Sequence, residues 1–445
     1  LYPKLEIENS YYYPENPEAG IDLFLEKLVQ ETEKEHEDIL EQADETDAMF
    51  GELYSWYLRN PEYRSRVQKL VQSAFAGKPK DIISQSVAKA LYGEVSPYSA
   101  TRLERFAACA FAHFLQYGMK LTERVEYEFK PMDMGNVMHE ALESFAEEVR
   151  KRGMKWTELT EQERNEIADR CLDNIVADYG NTVLKSSARN EYMIERTRRI
   201  LRRTVWALQK QLEQGEFQPE GFEVTFGGGR IDRVDIMEDQ NKVYVKVIDY
   251  KTGNTSFDLV YLYHGLQLQL MIYLDGALRV EQKKYPDKEI IPAGVFYYNI
   301  KDPMIQEKID ADVKAVSAGL MKELKMNGLV QADPELVYRM DSSLGSIPVA
   351  FNKDGSFRKN SSVADRTQFA VLGRYVRTKI EKIRSSILEG DAEVSPYELG
   401  KKNACTYCPY MTVCGFDRRL SGYEFRRLKN FSDEELWKAF DREAE

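Results

Sequence analysis

Residues 229 to 251 constrain the fold of this chain more than any other stretch. In KVYVKVIDYK, residues 242 to 251, Val243, Val245 and Val247 alternate with more polar positions, the period-two signature of a strand. Asp249 and Lys251 then fall on the valine face. The preceding GGGRIDRVDIM, residues 227 to 237, also alternates, and Glu238, Asp239, Gln240 and Asn241 read as a four-residue hairpin turn. With Met237 and Lys242 flanking that turn, Asp232 falls opposite Val247 and diagonal to Asp249, about 7–8 Å away. Two carboxylates thus converge beside a lysine. Hard divalent ions such as Mg2+ favour such oxygen ligands, commonly one or two carboxylates plus a substrate phosphate. A cation held there would generate hydroxide and stabilise the oxygen displaced from a phosphodiester, with Lys251 orienting the attacking water or offsetting phosphate charge. Salt-bridged residues at a strand end are the alternative that spacing alone leaves open.

A net charge of -12 opposes binding to a polyphosphate, but the excess is local. Residues 1 to 50 hold 15 acids and 3 bases; of the totals of 74 and 62, 59 of each sign remain, so the rest is neutral overall. Basic clusters stand out within it, above all Arg196, Arg198, Arg199, Arg202 and Arg203 on one predicted helix, which suits phosphate contacts or a solvated helix face. At 445 residues there is room for two or three domains. No apolar run spans a bilayer, no secretory leader is visible, and the opening Leu1 reads as the start of a fragment. No G-x-x-x-x-G-K-[ST] phosphate loop occurs, so ATP hydrolysis by this chain alone is not expected.

Residues 1 to 95 read as acidic and mostly helical, clearest in IDLFLEKLVQETEKEHEDILEQ. From Ser96, VSPYSATRLERFAACAFAHFLQYGMKL predicts a capped helix holding Cys109. GNVMHEALESFAEEVR predicts another, with Met138, Ala141, Leu142, Phe145 and Val149 as its stripe, His139 on the flank and Gly135 one turn earlier. His139 is either structural or a neutral imidazole ligand. Cys171 lies in an apolar phase and reads as core. After Lys251, LVYLYHGLQLQLMIYLDGALRV predicts one apolar helix carrying Gln267, Gln269 and Tyr273, whose amides need partners. IIPAGVFYYNI and LVYRM read as strands, 341 to 362 as a polar loop, and RTQFAVLGRYVRTKIEKIRSSILEG as a long helix. This order gives an α/β fold, a small mixed sheet flanked by helices.

Cys405-x2-Cys408-x5-Cys414 places three thiols within ten residues, a soft donor set for an iron–sulfur cluster or zinc in a reducing compartment. A four-coordinate site needs one more, and Cys109 is the better candidate than Cys171.

Taken together, G-N-V-M-H with His139, G-R-I-D with Asp232, D-Y-K with Asp249 and Lys251, and Q-L-M-I-Y with Gln269 and Tyr273 resemble, in order, the motifs of the RecB-like branch of the PD-(D/E)XK nucleases. Cys109 and the late C-x2-C-x5-C resemble the iron–sulfur staple of the AddB (RexB) family of bacterial helicase–nuclease subunits, as do S-A-T-R-L-E-R-F and H-G-L-Q-L-Q-L. The resemblance covers about residues 96 to 420; Ala110 departs from it, where relatives commonly carry proline. It implies a restriction-endonuclease-like nuclease domain over 96–445, closed by a 4Fe-4S cluster on Cys109, Cys405, Cys408 and Cys414, after a helicase-like tail over 1–95. It further implies Mg2+ held by His139, Asp232, Asp249 and the Tyr250 carbonyl, with Lys251 assisting the attacking water and Gln269 and Tyr273 lining the site. The implied activity is exo- and endonucleolytic cleavage of single-stranded DNA in double-strand break repair and recombination, beside an AddA-type helicase–nuclease in the bacterial cytoplasm. A stand-alone exonuclease of the CRISPR-associated type is the second enzyme class, disfavoured by the 95 residues before the Cys109 helix. A non-cleaving DNA-binding scaffold is the third and requires a missing ligand.

Overall fold

The computed structural model describes residues 5–8, 11–14, 21, 25, 45–74, 82–93, 99–122, 131–178, 187–227, 229–305, 312–420 and 422–444. The chain divides into two interleaved units, 1–82 with 391–427, and 83–390 with 428–445. This differs from the expected boundary at residue 95. Residues 391–427, with the cysteine trio, group with the N-terminal segment, and an Ile82–Asp391 bridge marks the join. Cys109 belongs to the larger unit. The helix expected over residues 21–42 lies outside the described residues apart from Ile21 and Leu25.

In the smaller unit, β1 (Leu5–Glu8) and β2 (Tyr11–Pro14) form an antiparallel hairpin, so this region is not purely helical. Helices α1 (Glu45–Arg59) and α2 (Pro61–Ala74) close a small core around Leu53, Tyr57 and Val67. Tyr397–Leu399, Lys402–Asn403 and Arg426–Arg427 make a three-stranded sheet on either side of the cysteines.

The larger unit is built on one six-stranded mixed sheet, in the order β3 (Gln218–Phe226), β4 (Gly229–Asp239), β5 (Lys242–Lys251), β6 (Glu289–Asn299), β7 (Asn327–Gln331), β8 (Val363–Ala364). β5 and β6 are parallel, which requires the crossover helix between them. On one face Met237, Tyr244, Ile248 and Tyr250 join a core with α4 (Pro131–Lys151), α5 (Glu161–Asp178) and α6 (Ala188–Leu212), after α3 (Ala100–Ala108) earlier in the chain. The crossover helix α7 (Gln269–Lys284) covers the other face and is backed by α8 (Arg366–Glu389). The stripe predicted for α4 is buried as expected, and Cys171 is a core thiol whose pKa burial raises.

Several expectations are corrected. The β4–β5 turn is two residues, Gln240 and Asn241, because Asp239 pairs with Lys242 and Gln240 takes a left-handed φ of 47°. The register therefore moves by two, which keeps every side chain on its predicted face. One step beyond the Arg233–Ile248 pair, Asp232 and Asp249 stand directly across from each other rather than diagonally. The helix expected through Cys109 breaks there, at φ -166° and ψ 118°. The single apolar helix expected after Lys251 is interrupted as well. A short helix, Leu259–Tyr263, stops at Gly265, whose φ of 78° suits glycine, and α7 begins four residues later. LVYRM is helical, not extended, since Pro334 at its start and the Asp333 carboxylate, accepting the amides of Glu335 and Leu336, cap Pro334–Met340. The polar stretch after it is tied down, with Asp341 accepting the amides and hydroxyls of Ser343 and Ser346.

Candidate active site

β3, β4 and β5 end together beside the N-terminal parts of α4 and α7, around a cavity of about 820 Å³ lined by His139, Glu223, Asp232, Asp249, Lys251 and Gln269, among others. Asp232 and Asp249 are both buried, at 7% and 1% exposure, although each is a carboxylate. Burial and then the neighbouring Asp249 push the Asp232 carboxyl up to about 7. Burial also raises Asp249, against the pull of Lys251. Asp232 Oδ2 accepts the Tyr250 amide at 2.7 Å, so the strand pair fixes its direction.

His139 reaches this group from α4 because Gly135, one turn earlier, allows a close approach. A Cβ at Gly135 would meet Thr252 Oγ1 at 3.3 Å. The imidazole stands 3.4 Å through Nδ1 from Asp232 Oδ2 and 3.1 Å through Nε2 from the Tyr250 carbonyl oxygen. Burial would lower its pKa, but Glu223 and Asp232 more than reverse that and raise it.

Lys251 is held from two sides, its Nζ 2.6 Å from Asp249 Oδ2 and donating to Gln269 Oε1 at 2.7 Å. Gln269 Nε2 in turn donates to the Tyr273 hydroxyl at 2.8 Å. Gln267, by contrast, serves the backbone: it accepts the Asp258 amide and donates to the Ser256 carbonyl. The structure thus brings together His139, Asp232, Asp249, the Tyr250 carbonyl, Lys251, Gln269 and Tyr273.

Sequence reasoning missed two acids. Glu223 on β3 lies across from Asp232, between the Phe222–Arg233 and Val224–Ile231 pairs, with Oε1 3.7 Å from His139 Nδ1. It pairs with Arg230 at the rim and sits in the left-handed region, at φ 49°. Such a conformation in a non-glycine residue costs about 1–3 kcal/mol and is typical of functional sites. His139, Glu223 and Asp232 place ligand atoms within 4.8 Å of one another, the one such group of three His, Cys, Asp or Glu among the described residues. The apparent alternation Phe222, Val224, Phe226 gives no usable signal, because the left-handed Glu223 interrupts it: Phe222 stacks on Trp156 on one face, whereas Phe226 packs on Tyr273 of α7 on the other. The second acid, Glu104, lies under the first turn of α7.

A convergent set of oxygen donors with one imidazole fits a hard divalent ion: buried carboxylates that repel one another and an adjacent carbonyl gain from positive charge between them. The cysteines are all unbridged, Cys109 buried and the trio half-buried. Cys408 N donates to the Cys405 carbonyl, so those two share a turn, and the Phe416 amide donates to Cys414 Sγ at 3.5 Å, but the three sulfurs are not gathered within 4.8 Å of one another. Such amide–sulfur contacts suit a metal-binding thiolate.

Of the α6 arginines, Arg198 pairs with Asp169, Asp173 and Glu195, Arg202 with Asp169, and Arg199 with Asp302 at 2.6 Å. Arg203 lies over the Trp206 ring and Arg196 is exposed, and both line a groove with Tyr192, Trp206 and Leu320.

This sheet and this carboxylate–lysine pocket define a nuclease of the PD-(D/E)XK class. The chain belongs to the PD-(D/E)XK nuclease superfamily, whose family model matches residues 97–415. It is 41% identical over 423 residues to the B-type subunit of the ATP-dependent helicase/deoxyribonuclease of Lachnoclostridium phytofermentans, covering 90% of this chain and 36% of that one. The protein of the same name from a Thermoanaerobacter species is 33% identical over 425 residues, 90% of this chain and 37% of that one. That from Clostridium acetobutylicum is 32% identical over 473 residues, all of this chain and 40% of that one. The chain thus spans little more than a third of the length of these relatives. No described helix is long and apolar enough to cross a membrane.

Proposed function

We propose that this chain is the nuclease-bearing part of the B-type subunit of a helicase/deoxyribonuclease and hydrolyses phosphodiesters in single-stranded DNA exposed by unwinding. The observation that carries this reading is the directly opposed pair Asp232 and Asp249, with Lys251 pinned between Asp249 and Gln269. His139, Asp232, Asp249 and the Tyr250 carbonyl would hold Mg2+, with Glu223 within reach of the same group. The bound ion supplies an activated water and charge stabilisation for the displaced oxygen. Lys251 offers its ammonium to the scissile phosphate, its direction set by Asp249 and Gln269. Tyr273, raised above its ordinary pKa by burial, keeps its proton and accepts from Gln269. Arg196 and Arg203 line a groove for the phosphate backbone, while Arg198 and Arg202 chiefly hold α6 on α5. The relatives' names, as a subunit of a helicase/deoxyribonuclease, support a partner subunit and DNA; the AddA type of that partner, a cytoplasmic setting and a role in double-strand break repair and recombination rest on the motif resemblance.

Digestion of end-labelled single strands with and without Mg2+ tests this directly; absence of Mg2+-dependent products counts against it. In the same protein, Mg2+ at a hundredfold excess over its Kd is expected to add about 2.7 kcal/mol of stability. A thermal melt should show the upward shift in wild type and its loss in Asp232→Asn, where the buried anion is gone.

The cysteine reading rests on the donor set: Cys405, Cys408 and Cys414, with Cys109 as the fourth, are proposed to hold a 4Fe-4S cluster, zinc being the alternative. Protein purified without oxygen is expected to be brown, with broad visible absorption that Cys408→Ser removes. Colourless protein containing one zinc per chain decides for zinc.

A further inference from the structure

The helix that delivers Gln269 and Tyr273 to the nuclease site has no cap of its own. Leu266, Gln267 and Leu268 immediately precede it, none a usual capping residue, and Leu268 at the cap position makes no side-chain cap bond. The first amides of a helix are donors without intrahelical partners, and leaving them buried is costly. Here they are satisfied from 164 residues away. Glu104 Oε1, on α3, accepts the amide of Leu268 at 2.7 Å and that of Gln269 at 2.9 Å. The same helix meets the preceding turn a second time: a Cβ at Gly265 would come within 3.2 Å of the Ala107 Cβ. α3 therefore holds both the break in the chain and the start of α7.

The consequence reaches the chemistry in one step. Gln269 is the first residue of α7, so the amide that Glu104 binds belongs to the residue whose side chain accepts the Lys251 ammonium. We propose, resting on the nuclease reading above, that Glu104 is a positioning residue of the active site, an N-cap supplied by a distant helix that fixes Gln269 and, through it, aims Lys251 beside Asp249. The Glu104 carboxyl, which burial raises to about 7 against the pull of the two amides, accepts both through Oε1 in either protonation state. Its position explains why an acid is found on the otherwise apolar side of α3 formed by Leu103, Phe106 and Ala107.

The test is single-turnover cleavage of an end-labelled single strand by the 445-residue chain with Mg2+, expressed per folded molecule from circular dichroism. Glu104→Ala is expected to slow cleavage about tenfold with DNA affinity unchanged, as loss of alignment without loss of binding should. Glu104→Gln, whose carbonyl still accepts both amides, should stay within about threefold of wild type. Because the effect runs through Gln269, adding Glu104→Ala to Gln269→Ala should cost less than about twofold further. An equal loss in both backgrounds, or no loss in either, overturns the positioning role and leaves the nuclease standing. A wild-type chain that does not cut under these conditions overturns the nuclease reading, and this inference with it.

Discussion

Asp249→Ala is expected to lower Mg2+-dependent cutting of single-stranded DNA by about a thousandfold or more, the scale of losing a preorganised charge at a reacting centre. Its fold should survive, because Asp249 is itself an uncomfortable resident: it is 1% exposed, across from a second carboxylate, and burial raises its pKa. Removing it relieves that repulsion and leaves Lys251, which is partly exposed and keeps Gln269. Initial rates on end-labelled oligonucleotides, alongside urea denaturation of the metal-free protein, check both halves. Cutting that persists at the wild-type rate removes Asp249 from the site.

The same hairpin carries the reverse case on its other face. Arg233 donates two hydrogen bonds to the Asp235 carboxylate, at 2.5 and 2.9 Å, and Lys246 from β5 stands 3.1 Å from Asp235, all three buried. Asp235→Ala would remove the carboxylate paired with both buried cations, leaving Lys246 only the more distant field of Asp341, at a cost of about 3–5 kcal/mol. Burial alone would raise the Asp235 pKa, but Arg233 and Lys246 more than reverse this and hold it below the usual range. A depressed folded-state pKa contributes stability that is fully present above the unfolded value, about 3.9, and is lost as pH falls through the folded one. The variant should thus lose stability at neutral pH and show a weaker acid dependence than wild type. Urea midpoints at pH 7 and pH 3 measure this, and matching midpoints for the two proteins would show that the triad does not stabilise the fold. Changing Asp235 is therefore expected to affect stability, whereas changing Asp249, on the opposite face, affects rate.

Alternation made the sheet legible. Val243, Val245 and Val247 assigned Asp249 to its face whatever the turn length, since an error of two residues preserves parity. The turn itself was not legible, because Glu238-Asp239-Gln240-Asn241 is polar throughout and its first two members, Glu238 and Asp239, extend β4. Helix interiors were read correctly where an apolar stripe was long, as in α4 and α8. Breaks were missed where the apolar content continued across them, as at Cys109 and Gly265. LVYRM illustrates the limit of composition: its β-branched and aromatic residues suit a strand, and the capping pair Asp333-Pro334 outside the run decides for a helix. His139, Asp232, Asp249, Lys251, Gln269 and Tyr273 were recognisable as motifs. Glu223 and Glu104 were not, because each is meaningful only through a partner brought near by folding, and Glu104 finds its own 164 residues away.

The larger unit takes back residues 428–445 after the excursion of 391–427, and Phe440 there, fully buried, packs against Tyr263 and Tyr375. Emergence from the ribosome therefore cannot deliver the two halves one after the other: the body bearing the carboxylate pair waits for a closing helix synthesised after the thiols. A stop codon, protease nick or bulky tag just past the cysteines would reach the catalytic half from behind, with every ligand still encoded.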